Sequence, residues 1–439
     1  MEAAEKSRRR LFLAVAGIAL LLFAAGAYYL KGQERVLRVG IFVGSNWEVP
    51  HGNNYAVIDA AIREFREDYP GIRVEYVSGI KKEDYAEWLA EQMMGRKEPD
   101  VFFVLSDDFN LYASMGALMD LSDFMEKDRD FHAGNYYRAA LDYGKYEGHS
   151  YALPCESVPA LMFVNKTLLA KEGIPMPKND WTWKEFLEIC RRVTKDVDGD
   201  GALDQFGCYG YTWEQAAVTN GVALFREDGR ASYFADERME SAVRFLMELR
   251  GIEKGRVVTA KDFDMGRVAF RPFSFAQYRT YKPYPWRIKK YADFEWDCVK
   301  LPAGPSGSNT SSLDTLLVSM SARTRHPELA WRFMKKLCYD EEIQACVLQD
   351  SQGLPVRRDV VLSGKAHDIF RKQAANVEDM DMATISEVMD EAVMPPKFKS
   401  YNAALLYADT EIKKIINGTI PFNNSLNKLQ KEVNAMLQY

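Results

Sequence analysis

At 439 residues the chain exceeds the roughly 250–300 that one apolar core organises, so two or three domains are expected and a single small module is excluded. Hydrophobic residues make up 47%, aromatics 13% and charged residues 27%, a composition that can bury a core and rules out wholesale disorder. With 57 Lys+Arg against 63 Asp+Glu the net charge is −6, without the basic face that condenses on phosphate backbones, so no nucleic-acid partner is expected.

In chain order, Lys6, Arg8, Arg9 and Arg10 precede an uncharged run from Leu11 to Leu30. Twenty residues at ~1.5 Å each span a bilayer interior of ~30 Å, so residues 1–35 read as a signal or membrane-anchor segment containing a hydrophobic helix. The arginines on its amino side leave that end in the cytoplasm and send the rest across. Ala25-Gly26-Ala27 offers small residues to a peptidase, so a cleaved signal and an uncleaved anchor are both open. The chain beyond residue 30 carries −8. Its six cysteines (155, 190, 208, 298, 338 and 346) lack the close pairs of a zinc ribbon or a C-x-x-C motif and read as small buried hydrophobes.

Val36–Val43 predicts a strand ended by Gly44-Ser45-Asn46, and Tyr55–Tyr69 has helical spacing. Pro70-Gly71 stops that helix; residues 72–77 alternate as a second strand, 84–94 as a second helix, and the apolar run at 100–105 as a strand covered on both faces. This βαβαβ order implies a mostly parallel sheet, whose ligand loops lie at the carboxyl ends of strands: here 44–54 and 106–110. Tyr151–Leu168 is extended and broken by two prolines. Thr182 followed by Glu185 is a capping box, and helices are expected over 182–195, 236–250, 326–338, 364–375 and 400–416. Strand-like pieces fall near 268–275, 296–301 and 315–320.

After the 182–195 helix, Asp196, Asp198, Asp200 and Asp204 occupy positions 1, 3, 5 and 9 of a calcium loop, with Gly201 at 6 and the Ala202 carbonyl at 7. Position 12 is Gly207 instead of the bidentate Glu of an EF-hand, and 206–209 reads as strand or turn. A helix–loop–strand site for a structural Ca2+ is expected.

Together the first strand, PGIRVEY, EPDVFFV, YALPCESVPALMFVNKTLL, TWKEF, GRVAF, KLPAGPSG, HPELAWRFMKKL and QGLPVRRDV resemble, in order and spacing, the sugar-binding class of bacterial extracellular solute-binding proteins, family 1, which serve ABC importers. The resemblance covers about residues 36–439. It implies a periplasmic-binding-protein-like α/β fold of two lobes joined by a hinge, with a ligand cleft between them: 36–150 plus about 298–338 as one lobe, 151–297 plus about 339–439 as the other. Its function would be extracytoplasmic binding of a sugar or oligosaccharide, at the cell surface or membrane-anchored through the N-terminal helix, and delivery to permease subunits by hinge closure, without catalysis. Many relatives carry a lipidation cysteine near the amino end; none lies near this hydrophobic run.

Sugar binding needs aromatic faces for the C–H side of a pyranose and planar polar groups for its hydroxyls. Trp47, Trp213, Tyr278, Tyr281, Tyr284 and Trp286 fall in predicted loops. Asp107, Asp108 and Asn110 follow the third strand, where similar family members place carboxylates against hydroxyls, and Glu156 sits in the first crossing segment. Phe275 lies near the family's stacking Trp position. The ligand set expected is Trp47, Asp107, Asp108, Glu156, Trp213, Phe275, Tyr278 and Trp286. An exported glycoside hydrolase using Asp107, Asp108 or Glu156 as a carboxylate pair is the enzyme alternative. A sensor that presents ligand to a kinase would share fold and site. No G-x-S-x-G, P-loop or H-E-x-x-H motif occurs, and the five histidines are scattered.

Overall fold

The computed structural model describes residues 35–47, 49, 54–281, 294–373 and 382–438. The Leu11–Leu30 run, Tyr284 and Trp286 lie outside them. Among the described residues no helix is long and apolar enough to cross a membrane.

The described residues form eleven strands: β1 (Arg35–Gly40), β2 (Ile72–Tyr76), β3 (Val101–Val104), a short β4/β5 hairpin (Lys145–Tyr146, His149–Ser150), β6 (Ala152–Asn165), β7 (Phe206–Cys208), β8 (Val268–Ser274), β9 (Trp296–Val299), β10 (Leu313–Met320) and β11 (Leu354–Pro355). Their main path runs β2-β1-β3-β10-β6-β8-β7. The first three strands are parallel, as their helical connections require, with Val36 opposite Arg73 and Val39 opposite Val101. The connecting helices, Asn54–Asp68 and Lys82–Met94, agree with the spacing of their apolar positions.

One strand carries the chain from half to half. The amino part of β6 pairs with β10, and from Ala160 onward it pairs with β8 and β9. It is continuous where two breaks were expected, because each proline occupies a place that spares the ladder a hydrogen bond. Pro154 lies at a bulge, where Leu316 and Leu317 face Glu156 and Pro154 and leave Cys155 unopposed; Pro159 is the last residue before the change of partners. Two further crossings run between Val299 and Leu313 and between Met389 and Phe398, tied by the Ser312 to Val393 bridge.

One core lies around the first half-sheet and continues under one face of the second through Leu161, Phe163, Phe273 and Trp296; the other covers the opposite face through Met162, Val164, Ala269 and Phe270. Alternation along β6 splits its side chains between them. Tyr339, Ile343, Val347, Phe370, Ile385 and Val388 belong to the first core, and only from Phe398 does the chain join the second. The reason is helical: the Glu341–Asp350 helix packs on Asn54–Asp68 and continues the layer begun by Pro327–Tyr339. None of the six cysteines is in a disulfide; five are buried and Cys346 is half-buried.

Candidate ligand cleft

The two halves meet beyond the carboxyl ends of β1 and β3. From the first half come Trp47, the Asp107-Asp108 start of the Ser106–Ser114 helix, Tyr143 and Asp314, the one charged residue within β10. From the second come Glu214, Tyr401 and Asn402, and the last crossing contributes Lys397. The Asn402 side-chain amide donates to the Asp107 carbonyl at 2.8 Å, which bridges the halves. The Lys397 ammonium lies 3.5 Å from the centre of the Tyr143 ring and 5.8 Å from that of Phe109.

Asp107 and Asp314 are exposed, Glu214, Lys397 and Tyr401 half-buried and Tyr143 buried, and their ionisation reflects the surrounding protein. Burial pushes the Lys397 ammonium down to about 7, opposed by Asp314 and Asp107. Asp314 is raised by burial, with Lys397 and Lys82 opposing and Asp107 adding. Asp108 is raised by burial and by Asp107, and Glu214 chiefly by burial. Burial also drives the Tyr143 and Tyr401 phenols upward, so both remain hydroxyl donors at neutral pH. Carboxylate acceptors, one ammonium and aromatic rings thus converge from both halves. This set can take the hydroxyls and the apolar face of a polyol ligand.

The expected ligand residues divide. Asp107 is exposed and Asp108 half-buried at the cleft, and Trp47 is half-buried beside it. Glu156 is 3% exposed, and its carboxylate is occupied by the Trp47 indole and the Ser351 hydroxyl instead of lying open to the cleft. Trp213 opens a helix instead of occupying a loop; it is buried in the second core with its Nε1 donating to Asp409 at 2.9 Å. Phe275 and Tyr278 are buried in the Phe275–Tyr281 helix and stack near Phe370, so they pack where ligand contact was expected. Tyr281 ends that helix, and Trp286 lies outside the described residues. Missed were Asp314, Lys397, Tyr143, Tyr401 and Glu214. A charge inside the apolar LDTLLVSM run, and a lysine in MPPKF, were the available signals.

Away from the cleft, the Asp196–Asp204 loop joins the Trp183–Val193 helix to β7, the helix–loop–strand form expected. Carboxylate oxygens of Asp196, Asp198 and Asp204 lie within 4.8 Å of one another. Asp200 is outside this group, its Oδ1 accepting from the Ala202 amide at 2.7 Å. Gly207 is small for packing: a Cβ there would lie 2.5 Å from that of Cys190 on the preceding helix, so a metal-binding glutamate has no room. A concavity of about 830 Å³ on the outer face of the first half holds mutually paired charges, such as Lys335 with Asp128 and Lys336 with Asp68 and Asp340, and none of the cleft residues line it.

Comparison with known proteins agrees with this architecture. The family model for bacterial extracellular solute-binding proteins matches residues 50–338. A lipoprotein of Streptomyces antibioticus is 25% identical over 370 residues, 78% of this chain and 75% of that one. The ABC substrate-binding protein of Listeria monocytogenes, solved with cycloalternan, is 21% identical with a TM-score of 0.70, over 93% of this chain and 100% of that one. The cyclic alpha-maltosyl-1,6-maltose binding protein of Arthrobacter globiformis gives 0.74 at 17% identity, over 92% and 99%. The fold is therefore periplasmic-binding-protein-like, as expected from the sequence.

Proposed function

The chain belongs to the bacterial extracellular solute-binding proteins, and on that premise we propose that it captures a sugar or oligosaccharide in the cleft between its halves and delivers it to an ABC importer by hinge closure. The observation that carries this reading is the convergence of Asp107, Asp314, Lys397, Tyr143 and Tyr401 from both halves and a crossing segment onto one solvent-reached seam. A ligand bridging such a seam binds the closed arrangement better than the open one, which is the condition for shifting the equilibrium toward closure. The cyclic glucan ligands named for the Listeria and Arthrobacter proteins support a saccharide. A calorimetric and thermal-shift panel of mono-, oligo- and cyclic glucosaccharides tests it. Saturable binding with the sugar recovered intact is expected; indifference to the whole panel, or turnover, would overturn it. The Leu11–Leu30 run would hold or export the domain outside the membrane.

The 196–204 loop, in this reading, takes a structural Ca2+. Asp196, Asp198 and Asp204 would supply carboxylate oxygens and Ala202 its carbonyl, the hard oxygen donors calcium prefers. Calcium should raise the melting temperature over chelator in the parent protein but not in an Asp198→Ala, Asp200→Ala variant. Equal melting of the parent under both conditions would rule the site out.

A further inference from the structure

We propose that Glu156 is a positioning residue that fixes the orientation of the Trp47 indole at the cleft edge, which rests on the reading of that cleft as the sugar site. The Trp47 Nε1 donates to Glu156 Oε1 at 3.1 Å across 109 positions of sequence. The other carboxylate oxygen accepts from the Ser351 hydroxyl. Glycine at 353 makes the approach possible: a Cβ there would stand 2.9 Å from Glu156 Oε2. Alongside lies an apolar void of about 10 Å³, lined by Val57, Phe103, Cys155 and Leu316 among others. Such a void is at the lower limit for one water, so protein donors and not solvent satisfy the carboxylate.

The socket is itself held. Arg279, on the helix after β8, donates to the carbonyls of Leu348 at 2.7 Å, Gly353 at 3.3 Å and Ser351, and so anchors the loop that carries the Ser351 hydroxyl. Arg279 is also the charged side chain facing Glu156, and Asp350 faces Arg279 in turn. Trp47 is tethered at its backbone as well, where its amide donates to the Ser45 hydroxyl at 3.1 Å. Burial drives the Glu156 carboxyl up to about 7, against the Ser351, Trp47 and Gly353 hydrogen bonds and the Arg279 charge. A tryptophan on a loop at the carboxyl end of a strand has many rotamers available. A buried acceptor that can be reached in one of them selects it before ligand arrives, which lowers the ordering loss on binding.

The test is an indole N–H spectrum of 15N-tryptophan-labelled protein, with the Trp47 signal identified by its loss in Trp47→Phe. Slow solvent exchange of that signal, and a shift that titrates near pH 7, are expected in the parent. Glu156→Gln keeps an acceptor and should preserve the slow exchange while abolishing the titration. Glu156→Leu should speed exchange at least tenfold. Against cycloalternan and maltotetraose, Glu156→Leu should weaken whichever binds about tenfold, with Glu156→Gln within threefold and no further loss from Glu156→Leu in the Trp47→Phe background. A Trp47 signal that exchanges freely in the parent, or is unmoved by both Glu156 variants, would overturn the assignment even if saccharides bind. Failure of every saccharide with a protected, titrating signal would overturn the sugar reading alone. Should Glu156→Leu not fold, the titration in parent against Glu156→Gln still decides.

Discussion

Arg279→Ala should lower the free energy of unfolding by about 3–5 kcal/mol, as breaking one side of a buried charged arrangement does elsewhere. Two losses combine. The carbonyls of Leu348, Ser351 and Gly353, at and beyond the end of the Glu341–Asp350 helix, lose their shared donor. Glu156 then remains buried without the guanidinium that opposes its desolvation. Urea unfolding followed by circular dichroism measures the change, and a loss below about 1 kcal/mol would show that the contacts are replaced by solvent. The pH dependence gives the sign independently. With its carboxyl raised to about 7 from an ordinary 4.5, Glu156 holds a proton in the folded chain that the unfolded chain has released. Its contribution to stability is therefore full below pH ~4.5 and lost as pH rises through 7. Arg279→Ala should extend that loss to higher pH.

Phe163→Ala should be comparably damaging, at about 3–5 kcal/mol. Phe163 is fully buried on β6, in the segment just after the strand changes partners. Its ring stacks on Trp296 at 4.8 Å and meets Phe273 edge-on at 4.4 Å and Tyr278 at 5.6 Å. Truncation removes the transferred area and leaves a cavity that three large rings on different elements cannot jointly fill. Phe163→Leu, which retains most of the volume, should lose no more than about half as much. Equal losses for the two substitutions would mean that the aromatic geometry, and not the cavity, sets the energy.

The βαβαβ entry, the crossing strand and five helices were legible because their periodicities are strong and their stops are Pro, Gly and capping residues. The site was less so. Trp213 read as a loop residue because it follows a strand-like run, and Phe275 as a ligand contact because it lies near the family's stacking Trp position, yet Thr212 with Gln215 and Ser274 with Gln277 exchange the same reciprocal hydrogen bonds that marked Thr182 with Glu185. Applied uniformly, that capping signature would have placed both aromatics on helices and moved them toward the core. Glu156 was read as a ligand contact from its crossing segment; only the fold shows that Ser351 and Trp47 enclose it. Asp314 and Lys397 belong to segments far apart in sequence, and no local pattern brings them beside Tyr143. Which sheet a late helix covers is likewise settled by packing, not by periodicity.

The concealed cysteines have a practical consequence. The hydrogen bond with Cys338, together with burial, drives the Cys155 thiol upward, and burial does the same for Cys190, Cys208 and Cys346, so at neutral pH these groups hold little thiolate for alkylating reagents. Cysteines engineered at exposed positions on each lobe would accordingly take maleimide dyes ahead of the native ones, and a donor–acceptor pair could track lobe movement in single molecules without first stripping the chain of its own sulfur.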